Sequence, residues 1–201
     1  MSRDREATRA RILGAVERIV ASEGVSAVGV NAVAAAAGVD KVLLYRYFGG
    51  REGMLRALAS ERRLWPATLV RDPASTGLGA ELRDALLECA RTLRAQPLAR
   101  RAAAWSLESG DEFARDAASA RDEELRLLIG ALRERHVVPR YLDLDSAVAL
   151  LSAALSHLAI QSASGAGGDY AGLDLRSDDD WRRVEKMVSA IVNSLTSASE
   201  V

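Results

Sequence analysis

The 201-residue sequence has few of the residue types on which several classes of protein depend. Its single cysteine excludes an intramolecular disulfide framework and a multi-cysteine metal cluster. No hydrophobic run approaches the roughly eighteen residues that a membrane span needs, so we expect no membrane partner. Residues 1–11 are charged and contain no apolar segment of the kind found in secretory signals. We therefore expect a cytoplasmic protein.

Residues suited to catalysis are also scarce. The two histidines, His136 and His157, lack the glutamate three residues before them that a di-iron helical bundle uses. The sequence contains no nucleophile elbow and no zinc-binding pattern. An all-α enzyme is therefore a less favoured function for this chain. We expect no cofactor and no metal site.

Charge is nearly balanced in total, with 27 basic and 28 acidic residues, but it is unevenly distributed. Residues 1–63 contain 11 basic and 7 acidic residues, whereas the remainder contains 16 and 21. This asymmetry indicates that only the first part meets a polyanion. The four arginines at the N-terminus either form a solvated arm or brace a phosphate backbone, and both readings stay open: Arg3, Arg5, Arg9 and Arg11.

Hydrophobic periodicity predicts helices almost throughout, and therefore an all-α fold. In the first part the predicted helices cover 7–23, 30–37, 41–48 and 51–65. A segment rich in Pro, Gly, Ser and Thr follows at 66–79, and helices are then predicted near 82–93, 97–109, 111–135, 145–162 and 178–195. No strand is predicted, and 164–175 is expected to be a mobile loop. We expect a head of three or four helices followed by a bundle-like helical body.

The segment 30–48 has the pattern of two short helices joined by a glycine turn, which is typical of a helix-turn-helix. Val33 and Ala37 are expected to face the first helix. Gly38 suits a turn position with positive φ. Val39 and Leu44 are expected to anchor the second helix against the first.

The second helix concentrates aromatic and basic residues. Two tyrosines this close in the chain, Tyr45 and Tyr47, cannot both point inward, so at least one hydroxyl should face solvent and be able to donate to a phosphate. Lys41 stands at the helix start, where free N–H groups already favour anions. Residues 40–48 span roughly 13 Å, against a major groove about 12 Å wide.

Residues 7–55 resemble the DNA-binding head of the tetracycline-repressor (TetR) family. The resemblance rests on the first helix ending at Gly24, the pair Val33 and Ala34, the pair Gly38 and Val39, Lys41, the run 44–48, and Arg51, Glu52 and Leu55. It implies a helix-turn-helix DNA-binding domain at 1–55 and a helical-bundle effector-binding and dimerisation domain at 56–201, which would dimerise through its last two long helices. It also implies that Lys41, Tyr45 and Tyr47 contact the DNA backbone.

The sequence departs from that pattern where bases would be read. Gly29 stands where the family often has Thr or Ser, and Val42 and Leu43 offer only apolar contacts, such as with a thymine methyl group. Which of Arg46 and Asn31 reaches a base stays open, and a helical adaptor with a degenerate head is an alternative function. The candidate DNA-binding residues are Asn31, Lys41, Val42, Leu43, Tyr45, Arg46, Tyr47 and Arg51.

The body offers candidates for two further surfaces. Core residues, or the walls of a pocket for an apolar or aromatic effector, are Trp65, Trp105, Phe113 and His157. The segment 145–162 is apolar nearly all round and must be covered on every side, which a partner subunit would achieve together with the last helix. The predicted dimer surface comprises Leu151, Leu155, Leu158, Trp181, Val184, Val188 and Ile191. Cys89 lies on an apolar stripe and is expected to be a buried, inert thiol.

The sequence thus predicts a ligand-responsive transcriptional regulator, most simply a repressor. It would bind a near-palindromic, double-stranded operator as a homodimer, with residues 40–48 as the recognition helix.

Overall fold

The computed structural model describes residues 2–62, 65, 77–163 and 168–197, which form nine helices, one 3-10 turn and one small hairpin. The elements are α1 Ser2–Glu23, the 3-10 turn Val25–Ala27, α2 Val30–Ala37, α3 Lys41–Phe48, α4 Arg51–Glu61, α5 Leu78–Ala95, α6 Pro97–Glu108, α7 Glu112–Arg135, α8 Leu144–Gln161, β1 Asp169–Tyr170, β2 Leu173–Asp174 and α9 Asp178–Ser197. The predicted all-α class is confirmed.

The differences from the predicted elements lie at helix ends and in one loop. α1 begins at Ser2 rather than at residue 7, and α4 ends at Glu61 rather than at 65. Within the predicted loop, β1 pairs antiparallel with β2, so the expectation of no strand is wrong there. Two-residue strands are too short to show periodicity, and their turn depends on positive φ at Ala171 and Gly172. Residues 66–76 and 164–167 lie outside the described residues.

The chain divides into two compact units. Unit 1 comprises Met1–Trp65 and Pro97–Ala120, and unit 2 comprises Pro66–Gln96 and Arg121–Val201. This differs from the predicted division at residue 55, because α4 still packs at Leu58, and Ala102 and Phe113 join the core of the first helices. Buried side chains of unit 1 include Ile12, Val16, Val20, Val33, Leu44, Met54, Leu58, Ala102, Phe113 and Ala117.

In unit 2, α5 packs against α8 and α9. Its buried leucines include Leu82, Leu86, Leu93, Leu128 and Leu132. The carboxylate of Glu81 is buried, and it accepts hydrogen bonds from Arg135 and is 2.7 Å from His136 Nε2. This pairing links the first turn of α5 to the end of α7 and compensates a charge that would otherwise be costly to bury.

Candidate nucleic-acid interface

The turn between α2 and α3 has the geometry that the glycine predicts. Gly38 adopts the left-handed conformation, with φ 60° and ψ 44°, which a residue with a Cβ atom rarely adopts. The Val39 N–H donates to the carbonyl of Ala34 at 3.1 Å and closes the turn. The Asp40 carboxylate then caps α3, accepting a 2.8 Å hydrogen bond from the Val42 N–H. The two helices are therefore held by local bonds that the sequence specifies.

One face of α3 is fixed by burial, and this decides which side chains point outward. Leu44 is completely buried in the unit 1 core beside Val33. The opposite face is open, with Val42 68% and Tyr45 59% exposed. Lys41 and Arg46 are exposed as well. The sequence-predicted residues Lys41, Val42, Tyr45 and Arg46 are thus brought together on one solvent-facing surface, the α3 face.

The two tyrosines differ in environment. Tyr45 satisfies the expectation that at least one of them faces out. Tyr47 is half-buried and packs against the unit 1 core beside Phe48, with ring centroids 6.4 Å apart. The Arg5 guanidinium lies over the Tyr47 ring at 5.8 Å, and that of Arg9 lies over the Phe48 ring at 5.2 Å. The first turns of α1 therefore contact the end of α3.

Arg51 is used inside the head rather than on the α3 face. Its Nε donates to the carbonyl of Val28 at 2.9 Å, and its Nη2 donates to that of Val25 at 3.2 Å. The guanidinium braces the 3-10 turn, and the predicted contact of Arg51 with DNA stays a prediction. Sequence spacing places an arginine after α3 but does not show that the carbonyls of Val25 and Val28 lie within its reach.

Two of the remaining candidates flank the α3 face. Asn31 is exposed at the start of α2, and Leu43 is half-buried on α3. Asn31 lines a shallow groove of about 490 Å³ together with Gly38, Asp40 and Lys41. The groove places the Asn31 amide and the Lys41 ammonium at the same edge of the helix-turn-helix.

The four predicted effector contacts are divided between the two units. Trp65, Trp105 and Phe113 belong to unit 1, where Phe113 lies in the core and the Trp105 indole donates to Asp111 at 2.9 Å. Trp65 is buried, and its indole N–H has no hydrogen-bond partner among the residues that the structure describes. His157 belongs to unit 2, where it is exposed and lies edge-on to Tyr170, with ring centroids 5.4 Å apart. The effector-binding role of these four residues stays a prediction.

Six of the seven predicted dimer residues line an apolar groove between α8 and α9. The groove has a volume of about 400 Å³ and is lined by Leu151, Ala154, Leu155, Leu158, Leu173, Arg183, Val184, Met187, Val188 and Ile191. Its rim is exposed, since Met187 is 60% and Ile191 is 38% accessible. We call this surface the α8–α9 strip. Met187 and Leu173 were missed by the sequence analysis, and Leu173 reaches the groove only through the hairpin.

Trp181 is covered by its own chain and does not lie on the strip. Its indole N–H donates to the carbonyl of Leu175 at 2.7 Å, and the Arg94 guanidinium lies over the ring at 4.6 Å. Because these contacts within its own chain cover the ring, we no longer place Trp181 among the dimer residues. The ring instead joins α9 to the hairpin and to α5.

α8 has the length and apolar composition of a membrane-crossing helix, with a mean hydropathy of 1.3 over 18 residues, although the sequence analysis found no such run. One third of that stretch is buried within the protein, and core helices of soluble proteins pass the same test. Across the described ranges, no group of three or more His, Cys, Asp or Glu residues is arranged to hold a metal ion.

Comparison with known proteins links this geometry to one family. The sequence model for "Bacterial regulatory proteins, tetR family" matches residues 12–58. None of the curated proteins compared with the chain is similar to it in sequence.

Solved structures match the fold over nearly the whole chain. The fatty acid degradation regulator FadR from Bacillus halodurans is 19% identical, with a TM-score of 0.66, over 92% of this chain and 94% of its own. GusR from Salmonella enterica is 18% identical, with a TM-score of 0.61, over 96% of each chain. A TetR family transcription regulator from Marinobacter aquaeolei VT8 is 20% identical, with a TM-score of 0.60, over 94% of this chain and 97% of its own.

Proposed function

We propose that this chain, which residues 12–58 place in the tetR family of bacterial regulatory proteins, is a DNA-binding transcriptional regulator. The observation that carries the proposal is the orientation of α3. Leu44 is fully buried, while Lys41, Tyr45 and Arg46 face solvent together. A short helix with one buried anchor and an outward row of donors suits insertion into a major groove.

The outward donors divide into two roles. The Lys41 ammonium and the Tyr45 hydroxyl contact phosphates and set the position of the helix on the duplex. Val42, at the centre of the exposed face, makes apolar contact with a thymine methyl group, and Arg46 or Asn31 supplies the hydrogen bond to a base edge. Tyr47 contributes a phosphate contact from the end of α3. Leu43 lies beside Val42 and extends the apolar contact.

A homodimer would cover the α8–α9 strip. Leu150 on α8 is 72% exposed, and Met187 and Ile191 on α9 are exposed as well, so three large apolar side chains face solvent here. A second copy would bury these side chains against the same residues across a twofold axis. Two recognition helices would then meet successive major grooves about 34–36 Å apart, which requires a near-palindromic operator.

Ligand response and repression complete the proposal. A small apolar or aromatic effector bound by the body would favour a dimer whose heads no longer match the operator, by an amount limited to its differential affinity for the two states. A regulator of this type binds DNA in the cytoplasm and blocks transcription until the effector releases it. No enzymatic step is part of this function.

The test compares matched variants on a duplex from upstream of the protein's own gene. Lys41→Ala with Tyr45→Ala should weaken binding at least about tenfold and reduce its salt dependence, because phosphate contacts are lost. Lys186→Ala with Tyr141→Ala removes the same two residue types from exposed positions in α9 and the connection before α8, and should bind as wild type. Equal binding by both double variants would contradict the proposal. Absence of binding to any duplex would favour the adaptor with a degenerate head.

A further inference from the structure

Two arginines of α1 stand over aromatic rings of α3, but only one of them has its charge compensated. Arg9 lies over Phe48 and also donates from Nη1 to Glu61 Oε2 at 2.7 Å. This pair raises the pKa of Arg9 and lowers the pKa of Glu61, as expected for a bidentate arginine–carboxylate contact. Arg9 is therefore occupied within the head.

Arg5 is held differently. Its guanidinium lies 5.8 Å from the centroid of the Tyr47 ring, and its side chain is exposed. Within the described part of the chain it has no ion-pair partner, and the neighbouring acids Asp4 and Glu6 are themselves exposed. Stacking on a ring orients a guanidinium without neutralising it, so its N–H groups stay available to an anion.

We propose that Arg5 is a further DNA-binding residue, positioned by the Tyr47 ring so that it contacts a phosphate at the α1 end of the interface. This inference rests on the function proposed above. Tyr47 directly follows Arg46 in the same short helix, and the Arg5 guanidinium lies over its ring, so a DNA backbone that runs past the Tyr47 hydroxyl also passes the Arg5 guanidinium. Of the arginines near the N-terminus, the structure thus separates Arg5, which is available, from Arg9, which is not.

The first experiment measures the affinity for the operator duplex by fluorescence anisotropy between 50 and 200 mM salt. Arg5→Ala should remove one phosphate contact per subunit, two in the dimer, and lower the slope of log K against log salt by about 1.8, so that its weakening is about 12-fold greater at 50 mM than at 200 mM. Arg11→Ala is the matched control. It removes the same charge from an exposed position on α1, turned about 120° around the helix from Arg5, and should keep the wild-type slope.

The second experiment tests the role of the ring. Tyr47→Phe keeps the ring without the hydroxyl, whereas Tyr47→Leu removes the ring. The slope change caused by Arg5→Ala should persist in the Phe background and shrink in the Leu background, with helicity and unfolding temperature measured for each protein.

The inference is overturned if Arg5→Ala keeps the wild-type slope, or if its slope change is the same with Phe and with Leu at position 47. Such results would leave the proposed function intact, provided that the Lys41 and Tyr45 double variant still loses binding. If that double variant keeps both the wild-type salt slope and the wild-type affinity, the proposed function is contradicted, and the inference about Arg5 is contradicted with it.

Discussion

At the scale of single residues, some charged side chains of unit 1 are bound within the helix-turn-helix head, and others face solvent. Arg51 and Arg9 are held by carbonyls and a carboxylate, while Lys41 and Arg46 face solvent. The distinction matters because a guanidinium already bound inside the protein adds little to DNA affinity. Residue type alone therefore does not identify the DNA-contacting set.

The helix-capping role of Asp40 can be tested by mutation. Its carboxylate accepts the Val42 N–H at the start of α3, and removing a helix cap costs about 1 kcal/mol. We expect Asp40→Ala to lower the free energy of unfolding in urea by about that amount and to weaken DNA binding, because the first turn of α3 loses its cap. Asp40→Ser keeps a capping oxygen and should recover most of the stability; equal loss in both variants would contradict the capping role.

Asp111 predicts a pH dependence of stability. Burial raises the pKa of its carboxyl, but hydrogen bonds from the Ala114 N–H, the Trp105 indole and Ser109 outweigh burial, and the pKa lies below its ordinary value. A group with a depressed folded pKa stabilises the protein above its unfolded pKa, about 3.9, and this contribution is lost as the pH falls through the folded value.

The corresponding measurement is the free energy of unfolding of wild type and Asp111→Asn across the acid range. The wild type should be the more stable protein by a constant margin above about pH 5, and the margin should narrow below about pH 4. A margin independent of pH would show that the carboxylate charge has no part in capping α7.

Cys89 should behave as an inert thiol in the folded protein. It is buried on α5, and burial raises its pKa to about 12, with Arg121 acting weakly in the opposite direction. Since the thiolate is the reactive species, a thiol reagent at pH 8 should label the protein only after denaturation. Rapid labelling of the native protein would contradict the burial of this side chain.

At the scale of elements, the angle between α3 and α4 depends on a glycine. A Cβ atom at Gly53 would overlap the carbonyl oxygen of Phe48, the last residue of α3. The two helices can approach this closely only without that side chain, and the obstacle is backbone that cannot rotate away. Gly53 therefore contributes to holding the α3 face in place.

We expect Gly53→Ala to destabilise the protein and to weaken DNA binding, because α4 must move away from α3. Gly130 in α7 is the matched control, since an added Cβ there meets no atom within 4 Å. Gly130→Ala should instead stabilise the protein by roughly 0.5–1 kcal/mol through the helix propensity of alanine. Thermal unfolding of both variants decides the matter, and a stabilised Gly53→Ala protein would contradict the close approach.

At the scale of the whole molecule, the α8–α9 strip sets the assembly state that we propose. Charges introduced at Met187 and Ile191 would have to be buried without partners in a dimer, which is strongly unfavourable. We expect Met187→Glu with Ile191→Glu to be a monomer in size-exclusion chromatography with light scattering. Its operator affinity should fall, because two heads no longer bind together.

Leu127 supplies the control for that experiment. It is 54% exposed on α7 and does not line the strip, so Leu127→Glu makes the same kind of surface change elsewhere in unit 2. This variant should keep the wild-type mass and affinity. A strip variant with unchanged mass would show that the second copy binds another surface.

The helix-turn-helix was predictable from the sequence because its determinants are local. The conformation of Gly38 and the helical spacing of Val33 and Leu44 act within a few residues, and the structure places them as expected. The cap that Asp40 provides to α3 is local in the same way. The all-α class follows in the same way from periodicity.

Tertiary packing alone decided which of the candidate side chains are available. Arg51 turns inward, Phe113 joins the core of the head, and Arg9 has a carboxylate partner while Arg5 has none among the described residues. The partners of Arg51 and Arg9 lie 23 or more residues away in the sequence. The sequence determined the helices and the turn and cap between α2 and α3, since those depend on neighbouring residues, whereas the outward row on α3 also depends on the burial of Leu44 in the unit 1 core. Whether each arginine or aromatic ring is bound within the protein or faces solvent depended on which distant groups folding brings within hydrogen-bonding or van der Waals distance.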